Sequence, residues 1–247
     1  MLSEAASLIL VLVAGVVAGA IASVSGFGIG SLLTPLLSLR VATKLAVAAV
    51  SIPHLAATAF RFWLLRKHVN RQLLWSFGLM SAAGGLTGAL LQIYADSPML
   101  TLVFGGLLVF TGVLGLTGYA QQLRFHGWVA WAAGFVSGML GGLVGNQGGI
   151  RSAAMLGFDV PRHAFVATAT AVGLIVDGAR LPVYLFTQGN EIAKLWPVLL
   201  AMTAGALVGT VAGERVLRQI PEPIYRRLVS GLVLALGIWM LLRAGRW

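Results

Sequence analysis

Two glycine-rich stretches, Gly26-Phe27-Gly28-Ile29-Gly30 and Gly145-Asn146-Gln147-Gly148-Gly149, occupy matching places in the two halves of the chain. Each follows a long apolar run and precedes a short one. At an offset of about 119 residues further positions coincide: Gly15 with Gly134, Gly19 with Gly138, Leu37 with Leu156, Val47 with Val166 and Arg61 with Arg180. Small shifts bring Gly84 and Gly88 onto Gly205 and Gly209, and Pro98 and Gly106 onto Pro223 and Gly231. The pattern predicts an internal duplication, residues 1–119 and 120–247, whose period is too long for a solenoid. In an apolar chain, glycine-interrupted helices at corresponding positions of two halves point to the binding site of a transporter.

The rest of the chain supplies the apolar setting. It is 58% hydrophobic with a mean hydropathy of +0.92. Charged residues make up 10%, against about 25% in a soluble domain. Its apolar windows have the length of membrane-crossing helices and lack the short alternating segments of an outer-membrane barrel. The expected fold class is therefore all-α and polytopic: two homologous four-helix repeats, inverted with respect to each other, each with a glycine-broken helix hairpin. The first apolar run does not read as a signal peptide, because only Glu4 precedes it and no basic region does.

The absence of cysteine excludes disulfides, thiolate metal sites and cysteine nucleophiles. A net charge of +10 raises the question of nucleic acid. The basic residues instead cluster in short loops beside apolar spans, where they set orientation, so no nucleic-acid partner is expected. Metal-ligand spacing, a phosphate-binding loop and a nucleophile elbow are all missing, so neither a cofactor nor an enzyme is expected. Trp63, Trp75, Trp128, Trp131, Trp196, Trp239 and Trp247 fall mostly near predicted helix ends, as an interfacial belt does.

The hydrophobic pattern predicts helices over 5–25, 29–38, 43–65, 72–94 and 98–118, then over 127–144, 149–157, 162–187, 192–213 and 223–243. Asp96 and Pro98 supply a start signal for one of them. Topology turns on whether each first segment crosses or returns. The basic cluster Arg66, Lys67 and Arg71 is placed in the cytoplasm. If each first segment and its short partner return to their starting side, Arg124, Arg162, Arg215, Arg218, Arg226 and Arg227 join that cluster inside. Only Arg40, Lys44, Lys194, Arg243 and Arg246 then lie outside, and the halves are inverted with both termini outside. If each first segment crosses instead, the basic residues divide evenly between the two sides. The bias favours inversion.

A helix broken near mid-membrane exposes backbone N–H groups with partial positive charge at the start of its second piece. Such backbone survives at membrane depth only where it lines a cavity or is buried in protein. The two starts, near Ile29 and Gly148, are expected to face each other with a small anion between them. Candidate binding residues are Ser25, Gly26, Phe27, Gly28 and Gly30 in the first half. In the second they are Gly145, Asn146, Gln147, Gly148, Gly149, Arg151 and Ser152. Arg151 has the planar fork suited to an oxyanion; its structural alternative is an interfacial arginine that snorkels to the surface. His54, Thr58 and Arg61 share one helical face, as do their counterparts Gly173, Asp177 and Arg180. His54, Arg61, Asp177 and Arg180 are the candidates for coupling or gating. The structural alternatives are an Asp177–Arg180 pair, a hydrogen-bonded core histidine and a snorkelling Arg61.

The segments Gly26-Phe27-Gly28-Ile29-Gly30-Ser31-Leu32-Leu33-Thr34-Pro35 and Gly138 to Ser152 resemble the signature segments of the sulfite exporter TauE/SafE family. The resemblance covers essentially the whole chain, and Gly145-Asn146-Gln147-Gly148 with the following Arg151-Ser152 is its most specific part. Ile29 departs from the pattern, since relatives often have glycine there, and it narrows the first opening. The resemblance implies an inner-membrane secondary transporter, an exporter of sulfite, a sulfonate such as sulfoacetate, or another small organic anion. Its partners would be that anion and the lipid bilayer, with homo-oligomerisation left open. The rival readings are an anion channel, which needs a continuous polar path, and a membrane-embedded enzyme, for which only His54 and Asp177 would be candidates.

Overall fold

The computed structural model describes residues 4–119, 127–146, 148–155, 158, 160–217 and 219–244. The described residues are helical, with no strand among them. In chain order the helices are α1 (Glu4–Ser25), α2 (Ile29–Leu37), α3 (Thr43–Leu65), α4 (Arg71–Tyr94) and α5 (Ser97–Thr117). Then follow α6 (Trp128–Val144), α7 (Gly148–Met155), α8 (Arg162–Ala193), α9 (Trp196–Leu217) and α10 (Glu222–Ala244). A 3-10 turn, Arg66–His68, extends α3.

Local chemistry sets most of these ends. The Asp96 side chain accepts from the Met99 amide, and a proline stands in the first turn of α5. Asn70 caps α4 by accepting from the Leu73 amide. Gly118 and Gly145 end α5 and α6 with φ of 75° and 76°, a left-handed conformation that glycine reaches without steric cost. One boundary differs from expectation. The pattern predicts that α8 stops at 187, but it runs 32 residues, to Ala193, and takes in Gly189 and Asn190. A lone glycine in a helix costs about 1 kcal/mol and does not by itself end it. Asn190, expected in a loop, lies in the last turns of α8, and only Lys194 and Leu195 separate α8 from α9.

Among the described residues, seven helices are long and apolar enough to cross a membrane: α1, α3, α4, α5, α8, α9 and α10. The apolar α6 is shorter, at 17 residues. The nine residues of α2 and the eight of α7 cannot cross a hydrocarbon core that takes about 20. Trp63, Trp75, Trp128, Trp131 and Trp196 are exposed near helix ends, as expected of a belt. Trp247 lies outside the described residues.

Most of the packing between the long helices joins the two halves, while α2 packs on α1 and α3 and α7 on α6 within their own halves. α1 packs on α9, α6 on α4, α5 on α10 and α3 on α8, while α3 also meets α9 and α4 also meets α8. Small residues make these contacts close. A Cβ at Gly84 or Gly88 of α4 would overlap the carbonyl oxygens of Phe135 or Met139 of α6. A Cβ at Gly205 or Gly209 of α9 would likewise overlap those of Leu12 or Val16 of α1. α3 and α8 are buried along more of their length than any other span. They form the centre of the molecule, and both breaks lie beside it.

Candidate functional site

Between α1 and α2 the chain passes through Gly26 and Gly28, whose φ values of 78° and 132° favour glycine. The Ser25 hydroxyl fastens this break by donating to the carbonyls of Ile21 and Phe27, at 2.8 and 2.7 Å. Between α6 and α7 the chain turns at Gly145 and Asn146. The two breaks touch. A Cβ at Gly30 would fall on the Gly145 carbonyl oxygen, and one at Gly148 would fall on the Phe27 side chain. Glycine at 30 and 148 is therefore required for close approach. Ile29 is buried at the start of α2.

Arg151 projects from α7 into this junction and is 3% exposed. Its Nη2 donates to the Gly26 carbonyl at 3.0 Å, tying α7 to the opposite break. Its Nε and Nη1 have no hydrogen-bond partner. Gly173 of α8 leaves room for it, since a Cβ there would lie 2.9 Å from Nη1. Asn146 is buried with Nδ2 unpartnered, and so is Thr34 with its Oγ1 unpartnered. Ser152 is half-buried on α7, and Gly149 lies in its first turn. Gln147 lies outside the described residues.

The long helices close the site from behind. Arg61 of α3 donates from Nη1 to the Ala22 carbonyl at 2.5 Å and from Nε to Thr170 Oγ1 at 3.0 Å. Arg180 of α8 donates from Nη1 to the Gly141 carbonyl at 2.5 Å. The Tyr184 hydroxyl donates to the Gly142 carbonyl, and the Tyr225 hydroxyl to that of Ile21, at 2.9 Å. Cations and hydroxyls thus add a second partner to carbonyls in the last turns of α1 and α6, where the helix dipole is negative; the Ala22 and Gly141 carbonyls already accept from the Gly26 and Gly145 amides. Arg180 also grips Asp177 through Nε and Nη2, at 3.0 and 2.8 Å from Oδ1. The other Asp177 oxygen, Oδ2, lies 2.6 Å from His54 Nδ1. Asp177 therefore bridges α3 and α8, and the histidine and the arginine share one carboxylate.

Arg61 and Arg151 are 4% and 3% exposed, so neither snorkels outward. Three guanidinium groups, those of Arg61, Arg151 and Arg180, are buried together with a single carboxylate, that of Asp177, among the described residues. The buried guanidinium groups outnumber the buried carboxylate by two. A buried charge without a counter-ion is costly in a low-dielectric interior, so an anion entering here would be strongly stabilised. Sequence reasoning missed Thr34, Thr170 and Tyr184. Tyr184 stands four residues beyond Arg180, a helical neighbour, which was the available signal. Thr34 sits within the first glycine-rich segment itself.

Spanning helices in this number, around a buried cationic junction of two backbone breaks, define a multi-pass membrane protein with a polar interior of the transporter type. A family model described as Sulfite exporter TauE/SafE matches residues 11–240, and the chain belongs to that family of membrane transporters. It is similar to a "Probable membrane transporter protein" of Haemophilus influenzae (strain ATCC 51907 / DSM 11121 / KW20 / Rd), at 27% identity over 184 residues, 70% of each chain. No solved structure matches it significantly.

Proposed function

We propose that this protein is a secondary transporter that exports a small anion, sulfite or an organosulfonate such as sulfoacetate, across the inner membrane. The observation that carries the reading is the buried excess of positive charge beside the junction, with Arg151 Nε and Nη1 and Asn146 Nδ2 left unpartnered. An oxyanion seated there supplies acceptors to these donors and counter-charge to the guanidinium groups. Gly145, Gly148, Gly149, Gly26, Phe27, Gly28 and Gly30 shape the site, Ser25 fixes the first break, and Ser152 of α7 is a further candidate ligand. With an inside-negative potential, outward movement of an anion gains about 2.3 kcal/mol per charge per 100 mV.

The same reading takes the chain as two inverted repeats, each opening with a re-entrant helix hairpin. Its support is a repeated bond. Arg61 to Ala22 and Arg180 to Gly141 each span 39 residues and join corresponding atoms. The packing of α1 on α9 and of α6 on α4 has the same reciprocal form. An anion channel is disfavoured by the tight contact of the two breaks, since Gly30 and Gly148 leave no room even for a methyl group. The deciding experiment is flux of radiolabelled sulfite into liposomes holding the purified protein, with and without an imposed potential. Flux that depends on the protein, responds to the potential and is lost in Arg151→Ala supports the proposal. Equal flux in empty liposomes refutes it.

A further inference from the structure

Among the threonines of the described helices, Thr34 is the one whose buried hydroxyl has no hydrogen-bond partner. Thr87, Thr111, Thr117, Thr187 and Thr203 each donate their hydroxyl to the carbonyl four residues earlier, at 2.7 to 2.9 Å. This back-bonding is how a threonine in an apolar helix satisfies its own polar group. Thr34 lies inside α2, where the same option exists, yet its Oγ1 is buried and has no partner. An unpaired buried hydroxyl costs about 1–3 kcal/mol, so its retention needs a reason.

Its direction supplies one. A Cβ built at Gly145 would lie 3.8 Å from Thr34 Oγ1 and 3.6 Å from Arg180 Nη1. The hydroxyl of the first half is therefore aimed at the break of the second half, next to a buried guanidinium. Asn146, the following residue, has its own unpartnered Nδ2, and Arg151 contributes two more free N–H donors. Four of the five unpartnered buried side-chain atoms among the described residues belong to Thr34, Asn146 and Arg151. All three residues are more than nine-tenths buried. Each of these groups can donate, and no carboxylate other than that of Asp177 is buried among the described residues.

We propose that Thr34 is a specificity-determining ligand of the transported anion, its hydroxyl donating across the junction to an oxyanion that Asn146 and Arg151 hold from the other half. The inference rests on the anion-transport reading and deepens it. Unpartnered donors on α2, at the second break and on α7 would suit an anion with several acceptor oxygens pointing in different directions, such as a pyramidal or tetrahedral oxyanion. A spherical halide cannot engage them all. Because the donors come from both halves, the anion bridges the two breaks.

The test measures sulfite, methanesulfonate and chloride binding by calorimetry in detergent, on the full chain and on Thr34→Val, Thr34→Ser and Arg151→Ala, together with melting in anion-free buffer. Valine keeps the shape of threonine and replaces the hydroxyl with a methyl group. The expected result is a roughly ten- to hundredfold loss of sulfite and methanesulfonate affinity in Thr34→Val, with recovery in Thr34→Ser. Thr34→Val should also melt no lower than wild type without anion, because the hydroxyl it removes is unpaired. Wild-type sulfite affinity in Thr34→Val, with binding lost in Arg151→Ala, would overturn the role of Thr34 and leave the anion reading standing. A lower melting point in anion-free Thr34→Val would make the hydroxyl structural and also overturn it. No binding of any anion to the wild type would overturn both.

Discussion

Arg180 reaches back 39 residues to donate from Nη1 to the Gly141 carbonyl, 2.5 Å away. Arg61 makes the corresponding bond to Ala22, but the two arginines are not equivalent. Arg180 also holds Asp177, whereas Arg61 holds the neutral Thr170. Arg180→Gln therefore strips one partner from a buried ion pair, a change that typically costs ~3–5 kcal/mol. Arg61→Gln removes charge-assisted hydrogen bonds without stranding a carboxylate, and ~1.5–3 kcal/mol is expected. Thermal unfolding in detergent should rank wild type above Arg61→Gln and Arg61→Gln above Arg180→Gln. The reverse order of the two variants would contradict this account of the centre.

The glycine faces give a prediction with a built-in control. Gly84→Ala and Gly205→Ala place a methyl group on a backbone carbonyl of the facing helix, in α6 and α1 respectively. Backbone cannot move aside as a side chain can, and overpacking of this kind costs ~1–3 kcal/mol or more. Gly106 of α5 has nothing near its missing Cβ, so Gly106→Ala should match or exceed wild-type stability, since alanine is the better helix former. Melting temperatures of the three variants, each against wild type, check this directly. Equal stability of all three would mean that α1–α9 and α4–α6 are not packed through their glycines.

Most of the architecture was legible because hydrophobic length and glycine spacing are local signals. The breaks at Gly26–Gly28 and at Gly145 were legible for the same reason, since positive φ selects glycine. What the sequence did not disclose was which polar groups meet. Arg61 looked free to snorkel from near its helix end, and only the packing of α3 against α8 turns it toward Thr170. Nothing in the sequence singles out Thr34; its missing back-bond is a matter of rotamer and of what lies opposite. The end of α8 was misread because Gly189-Asn190 has a turn composition while its neighbours sustain the helix. Asp177 was weighed as a partner of Arg180 or as a member of a relay with His54. It contacts both.

Arg151 should govern affinity more than folding. Its Nη2 bonds the Gly26 carbonyl, while its Nε and Nη1 have no partner. Arg151→Lys keeps the charge but loses the planar fork, and a roughly ten- to hundredfold weaker sulfite affinity is expected. Asn146→Ala removes one neutral donor and should cost less, about tenfold or below. Calorimetry on the purified variants reads both values. An Arg151→Lys protein with wild-type affinity would show that the fork is not what recognises the anion.

Coupling is the remaining question, and the shared carboxylate frames it. Asp177 is fully buried between Arg180 and His54, while the His54 side chain keeps 13% exposure. Thr58, Arg61 and Arg151 are the other polar groups near this bridge. We propose His54 and Asp177 as the pair that would serve a proton-coupled cycle, because they touch each other between α3 and α8. Under proton-linked transport, His54→Gln should flatten the pH dependence of sulfite flux in liposomes while anion binding persists. Asp177→Asn should flatten it as well and also lower stability, because Arg180 is left buried without its counter-ion. Asp177→Asn combined with Arg180→Gln separates the two roles: it should restore much of the stability but not the pH dependence. If the double variant regains both, Asp177 is a structural counter-ion and the proton route lies elsewhere.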